Sequence, residues 1–327
     1  MLLISTFGFS SQNSVRTAQE LMVRQQYNEA AKLIGAHLQK NPNDIHALYT
    51  LATIEQTRIL DYESYTIDGK RFIVLSDSIR KVLDNRLRSL SGQDSVAALF
   101  YSANLLGGIG LIQAKCGEWF TGARNAMASV NALKQIKRID PGHLGAELGI
   151  GAFDYYFGTS FKWIPFVSGN VERGIEAVDR SLNAPFPFDY AAKSTYCWIL
   201  IDRKQYKKAD SIAHSVLSRN PDNTVFLRIR ALIALWSGCY KSALPFGEKV
   251  ITLAEKRTPV NWSDLVMGYY IVIRCHEHFG RKNEALAAAQ KALAIQIPAE
   301  YRNIPHVKDN LKYISDINSK YNRAQSR

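Results

Sequence analysis

Four cysteines, Cys116, Cys197, Cys239 and Cys275, are spread over 327 residues. They are too few and too far apart for a disulfide framework or a C-x-x-C metal site. Buried free thiols are the expectation. Ten prolines and 20 glycines, with no long polar tract, exclude a low-complexity region or flexible linker. No uninterrupted apolar run approaches the roughly 18 residues that cross a bilayer; "LVMGYYIVI" (265–273) is far too short. No β-hairpin signature occurs, and the one strand-like run, "RFIVLSD" (71–77), is short enough to belong to a helix.

Chemical motifs are equally sparse. "LLGGIGLIQ" (105–113) lacks the third glycine of G-x-G-x-x-G, has no G-K-(S/T), and lies inside a helical pattern, so it reads as close helix packing. There is no G-x-S-x-G and no H-E-x-x-H. "CHEH" brings Cys275, Glu277 and His278 close in sequence, but two ligands without a second pair do not make a zinc site. Glu172 and Glu176 read as an ordinary solvated helix face. The sequence therefore offers no catalytic residue, no metal site and no cofactor motif.

What is present in excess is positive charge. Lysine and arginine number 41 against 29 acidic residues, a net +12. That balance favours acidic partners, whether peptide, phospholipid surface or nucleic acid. The cations are dispersed in short pairs such as Lys207–Lys208 and Arg281–Lys282 rather than in a block, the pattern of solvated helix faces. Residues 1–12, "MLLISTFGFSSQ", have a short apolar stretch with no basic start and no A-x-A site. They read as a signal-peptide remnant or as the apolar start of a helix. The first reading implies an exported, periplasmic protein and is slightly favoured over a cytoplasmic one.

An internal repeat organises the chain. "YKKA" (206–209) and "YKSA" (240–243) lie 34 residues apart, and the frame recurs as "YNEA" (27–30) and "KNEA" (282–285). An amphipathic stretch follows each, and two of these end at Asn-Pro, where a helix cannot continue. Tyr27, Tyr206 and Tyr240 open second helices. The small residues Ala30, Ala209, Ala243 and Ala285 let paired helices approach. Gly238 and Gly280 stand two residues earlier, where a turn needs positive φ. These features together resemble the tetratricopeptide repeat, a pair of antiparallel helices recurring every 34 residues. The recognisable units are 11–44, 190–223, 224–258 and 266–299.

Between them, residues 95–141 show helical spacing and stop at Asp140-Pro141. Trp119 follows Gly117 by two, in the register of Tyr240 after Gly238. In 169–185, Gly169 takes the turn position and Gly174 the small one. The run "LGIGAFDYYFGTSFKWIPFVSGNVERGIEAV" (148–178) also loosely resembles a segment shared by uncharacterised bacterial tetratricopeptide-like proteins and the inclusion-body-clearance family, which implies architecture and no catalytic residues.

Within it, residues 153–166 hold seven aromatic rings. Phe153, Phe157 and Phe161 share a helical face and read as core. Tyr155 and Trp163 fall off that face as the exposed rings, and as the candidate lining of a small-ligand or lipid pocket.

The resemblance implies an all-α, right-handed superhelix over residues 13–315; the final stretch reads from its composition as a polar capping helix with a polar C-terminal tail over 316–327. It also implies that the first helix of each pair lines a concave groove. Repeat register puts Trp198 and Asp202, then Arg228 and Trp236, then Tyr270, Arg274 and Glu277 in that groove, with Ser194, Ile201, Leu232, Leu235 and His278 beside them. Aromatic anchors and arginines are hot-spot residues, and Arg228 and Arg274 suit a carboxylate or phosphate. The family's carboxylate clamp is not matched, since Ser194, Trp198 and Val225 stand at its basic and amide positions. The expectation is a non-enzymatic scaffold for a protein or peptide, one of partly acidic character. Nucleic-acid binding along the basic surface is the rival class, disfavoured by Asp202 and Glu277 in the same groove.

Overall fold

The computed structural model describes the backbone of residues 6–160 and 171–325 and the side chains of 13–160 and 171–323. Among these residues the regular structure is helical throughout. The helices are α1 (Thr6–Val23), α2 (Tyr27–Lys40), α3 (Ile45–Tyr62), α4 (Tyr65–Arg86), α5 (Gly92–Lys115), α6 (Trp119–Ile139), α7 (Leu144–Ser160) and α8 (Val171–Arg180). They continue as α9 (Phe188–Asp202), α10 (Tyr206–Leu217), α11 (Thr224–Trp236), α12 (Tyr240–Lys256), α13 (Trp262–His278), α14 (Lys282–Ala294), α15 (Ala299–Arg302) and α16 (Pro305–Gln325). "RFIVLSD" lies inside α4. The segment 316–325, read from composition as a tail, continues α16, with Ile317 and Tyr321 buried.

One turn design joins the pairs. The residue two positions before six of the second helices is left-handed: Gly117, Gly238 and Gly280, and also Gln25, Glu63 and Lys204. The next residue donates its N–H to the carbonyl five back, as in Gln26 to Leu21, Glu118 to Gln113, Gln205 to Leu200, Cys239 to Ala234 and Arg281 to His276. This is the Schellman closure, which satisfies carbonyls orphaned at a helix end. Glycine reaches that conformation freely, whereas a side chain there crowds the backbone. Gln25→Gly, at φ 62°, is therefore expected to stabilise the fold by about 0.5–1 kcal/mol, read as a rise in urea midpoint at unchanged m value. No change would show that local contacts of Gln25 offset the strain.

The chain divides into two compact units, Met1–Leu60 with Tyr65–Tyr196, and Asp61–Ser64 with Cys197–Arg327. In the first, Tyr49, Ile79, Leu83, Phe100, Leu105, Leu133 and Ile136 form the main core. Helix α5 is long and apolar enough to cross a membrane by length and composition, but half of its apolar stretch is buried. Phe100, Leu105, Ile109 and Ile112 are in contact with other helices of the unit, so it is a core helix. In the second unit, Ile273, Leu286 and Ala289 pack with Val307, Ile314, Ile317 and Tyr321 of α16. Apolar residues repeat along one side of α16, and that side packs on α13 and α14.

The aromatic segment packs differently from the sequence expectation. The core face of α7 is Leu148, Gly151, Tyr155 and Gly158, and Tyr155 is only 1% exposed. The missing side chain of Gly151 admits Gly174 of α8, with backbone oxygen 2.8 Å from where a Cβ would stand. That contact, rather than the ring stripe, fixes which face turns inward. Phe153 and Phe157 are partly buried and stack on each other at 4.9 Å, while Tyr156 is exposed. Phe161, Trp163, Phe166 and Gly169 lie outside the described residues.

Candidate functional site

The first helices of the second unit present the residues singled out from the repeat register. Trp198 and Tyr270 join Leu232, Leu235, Tyr240 and Phe279 in one apolar cluster at the C-terminal ends of α9, α11 and α13. Trp236 stands at that end with 48% of its surface exposed, and Asp202 is exposed beside the α9–α10 turn. The Arg274 guanidinium lies 5.8 Å from the Tyr270 ring centre and 5.6 Å from that of Tyr313, and donates to the Tyr270 hydroxyl at 3.3 Å. No carboxylate within ion-pair distance meets it among the described residues.

Arg228 is placed elsewhere. It is buried and donates to Asp264 at 2.7 Å, with Glu63 at 3.7 Å. Asp264 and Arg274 are ten residues apart on α13, about 15 Å along the axis at 1.5 Å per residue. The two arginines expected to suit a carboxylate or phosphate thus occupy different ends of the helix layer. Glu277 is also engaged inside the chain: it accepts from the hydroxyls of Tyr313 and Tyr321 and from Lys320, all on α16. Burial raises its pKa, but these three hydrogen bonds outweigh it and hold the carboxyl below its usual range.

Around Arg228 lies a buried polar network that the sequence reading missed. Arg257 donates to Asp61 at 2.5 Å and to Thr224 at 3.1 Å. Asn261 caps α13 by accepting from the Asp264 N–H, and its amide donates to Asp264 and to the Asp61 carbonyl. The signal was in "NWSD", where Asn at an N-cap precedes a helix. Desolvation pushes the fully buried Asp264 carboxyl upward, against the pull of Arg228. Ser263 Oγ is 2.7 Å from His306 Nε2, and His306 Nδ1 is 2.7 Å from Glu63. The order is that of a nucleophile, base and carboxylate, but Ser263 is wholly buried. The relay fastens the Asp61–Ser64 turn, α13 and α16 to one another.

The thiols divide by position. Cys197 and Cys275 are buried, and burial pushes them to about 12 and about 11. Cys116 and Cys239 are exposed, against the expectation of burial, because both fall in the tight turns beside Gly117 and Gly238. Cys275 and His278 of "CHEH" do not converge: the first is buried and the second stacks on Tyr240 at 3.7 Å. Among the described residues no group of three His, Cys, Asp or Glu side chains comes together to hold a metal ion.

No family model matches the chain, and no curated protein does. Among solved structures it is similar to the C-terminal part of a TPR repeat-containing protein from Cytophaga hutchinsonii, at 19% identity and TM-score 0.42 over 91% of this chain and 99% of that one. It is similar to a tetratricopeptide repeat protein from Parabacteroides merdae, at 15% identity and TM-score 0.41 over 93% and 98%. It is also similar to the TPR domain of P58(IPK), at 13% identity and TM-score 0.28 over 97% and 99%. The chain's own helix pairs, their left-handed turns and the small residues between paired helices give it a tetratricopeptide-like helical-repeat fold.

Proposed function

We propose that this protein is a non-enzymatic scaffold that binds a protein or peptide segment along the first helices of its second unit, with preference for a partly acidic partner. The observation that carries the reading is the end of the helix layer where Arg274, held between tyrosines and without a carboxylate partner, adjoins Trp198, Tyr270 and the half-exposed Trp236. An exposed ring beside a pre-positioned guanidinium supplies an apolar anchor and a forked donor together. Asp202 sits at the rim and Glu277 is neutralised by Lys320, so neither cancels Arg274. Arg228 serves the interior, and a variant there tests folding rather than binding.

Peptide display against the intact protein tests the reading. Selected peptides are expected to pair an acidic residue with an apolar one and to lose at least tenfold in affinity against Arg274→Gln, since hydrogen bonds to charged groups contribute about 1.5–3 kcal/mol. Circular dichroism confirms the fold of the variant. A selection that yields no enrichment, or peptides indifferent to both Arg274→Gln and Trp236→Ala, would sink it.

A further inference from the structure

We infer that the edge of the second unit formed by its α9–α10, α11–α12 and α13–α14 turns is a docking strip for an extended run of acidic residues in a protein partner. This deepens the scaffold reading, on which it rests, by giving the acidic preference a location outside the groove.

The three turns lie at one end of the unit, because Trp198, Leu235, Tyr240 and Phe279, which flank them, share one cluster. The first turn carries Arg203, Lys204, Lys207 and Lys208, the second Lys241, and the third Arg281 and Lys282, all exposed. Asp202 and Glu284 are the carboxylates on the same turns. Lys204, Lys207, Lys241, Arg281 and Lys282 make no ion pair among the described residues. At the opposite end of the helices two cations are paired, Lys249 with Asp222 at 2.9 Å and Arg257 with Asp61 at 2.5 Å, while Arg219 and Lys256 make no ion pair among the described residues. Dispersed in sequence, these charges looked like ordinary solvated faces. The recurring helix-pair turn stacks them on one edge, although the second helices start 34 and then 42 residues apart.

Spacing and chemistry select the partner. Neighbouring packed helices stand about 8–10 Å apart, so three turns span about 20 Å, the length of about six extended residues. Lysine predominates, and lysine acts as a point charge suited to carboxylates without planar recognition. A nucleic-acid strand would require open rings for stacking. Here the Tyr240 face is covered by His278 at 3.7 Å, and Phe279 lies under Arg281 at 5.0 Å. A membrane would need an apolar wedge, and among the described residues Trp236 is the one large exposed apolar side chain at this edge.

The test is fluorescence anisotropy of a labelled hexaglutamate peptide titrated with the full chain across a salt series. Wild type is expected to bind with steep salt dependence. Lys207→Glu/Lys241→Glu/Lys282→Glu is expected to weaken binding at least tenfold, while Lys32→Glu/Lys81→Glu/Lys134→Glu, an equal charge change on the first unit, leaves it within twofold. Equal loss in both triple variants, or no binding by wild type, overturns the inference. So does tighter binding of a six-nucleotide single strand or of phosphatidylserine vesicles. Loss confined to Arg274→Gln would move acidic recognition to the groove and overturn the strip alone. A strip variant that loses hexaglutamate while display peptides ignore Arg274 would keep the strip and remove the groove.

Discussion

Arg228→Ala is expected to destabilise the second unit by about 3–5 kcal/mol, the largest effect of any single truncation in its polar interior. Removing the guanidinium leaves Asp264 buried at 0% exposure without its 2.7 Å partner. The Asn261 amide still donates to the other carboxylate oxygen at 3.1 Å, but a neutral amide does not compensate a buried charge. Asp264 then protonates, and the unit loses the pair's attraction while retaining the packing defect. Arg228→Met/Asp264→Leu, which removes both charges and keeps the volume, is expected to recover most of the loss, because replacing a whole buried ion pair is often nearly neutral. Urea denaturation followed by tryptophan fluorescence, which reports on Trp198, Trp236 and Trp262, measures both. If the single variant unfolds within 1 kcal/mol of wild type, the network is not what holds the Asp61–Ser64 turn. A double variant no better than the single would mean that Glu63 and Arg257 depend on these charges for their own placement.

The same region shows why part of the molecule was legible in the sequence and part was not. Period-34 spacing exposed the second helices, since each must place a ring at Tyr27, Tyr206 or Tyr240 and a small residue three positions on. It did not expose the unit around α3 and α4, where Glu63 takes the left-handed position in place of glycine and Gly69 falls one residue late. Arg228 and Arg274 share a residue type and an expected helix face, yet one is buried against carboxylates and the other lies between Tyr270 and Tyr313. The difference comes from Asp264 and Glu63, distant in sequence from Arg228. Repeat register locates a side chain on a helix face. Whether that face meets solvent or a carboxylate depends on segments outside the repeat, here the Asp61–Ser64 turn and α16. The same holds for Glu277, whose neighbours on α16 come from beyond the last recognised unit.

Gly110→Ala is expected to destabilise the first unit by about 3 kcal/mol, at the upper end of overpacking costs. The cost depends on which atoms a new methyl meets. At Gly110 a Cβ would stand 2.7 Å from the Gly122 carbonyl oxygen and 2.9 Å from the Ala126 nitrogen. Both are backbone atoms of α6, so relief requires separating two helices along their length rather than turning one rotamer. Gly122→Ala is expected to match it, because its Cβ would meet the Gly110 oxygen at 2.7 Å and the Ala114 nitrogen at 2.9 Å. Gly149 provides the control. There the nearest atom is closer still, 2.6 Å, but it is Leu133 Cδ1, the far end of a flexible side chain. Gly149→Ala is expected to cost under about 1.5 kcal/mol after repacking. At Gly35, in the middle of α2, nothing lies within 4 Å, and alanine is expected to stabilise by about 0.5–1 kcal/mol through helix propensity. Four single variants measured by urea denaturation therefore order as Gly35, Gly149, then Gly110 and Gly122 together. A cost at Gly149 equal to that at Gly110 would show that distance alone decides. A mild Gly110 would show that α5 and α6 slide apart easily, and the glycine contact would then not set the spacing of that helix pair.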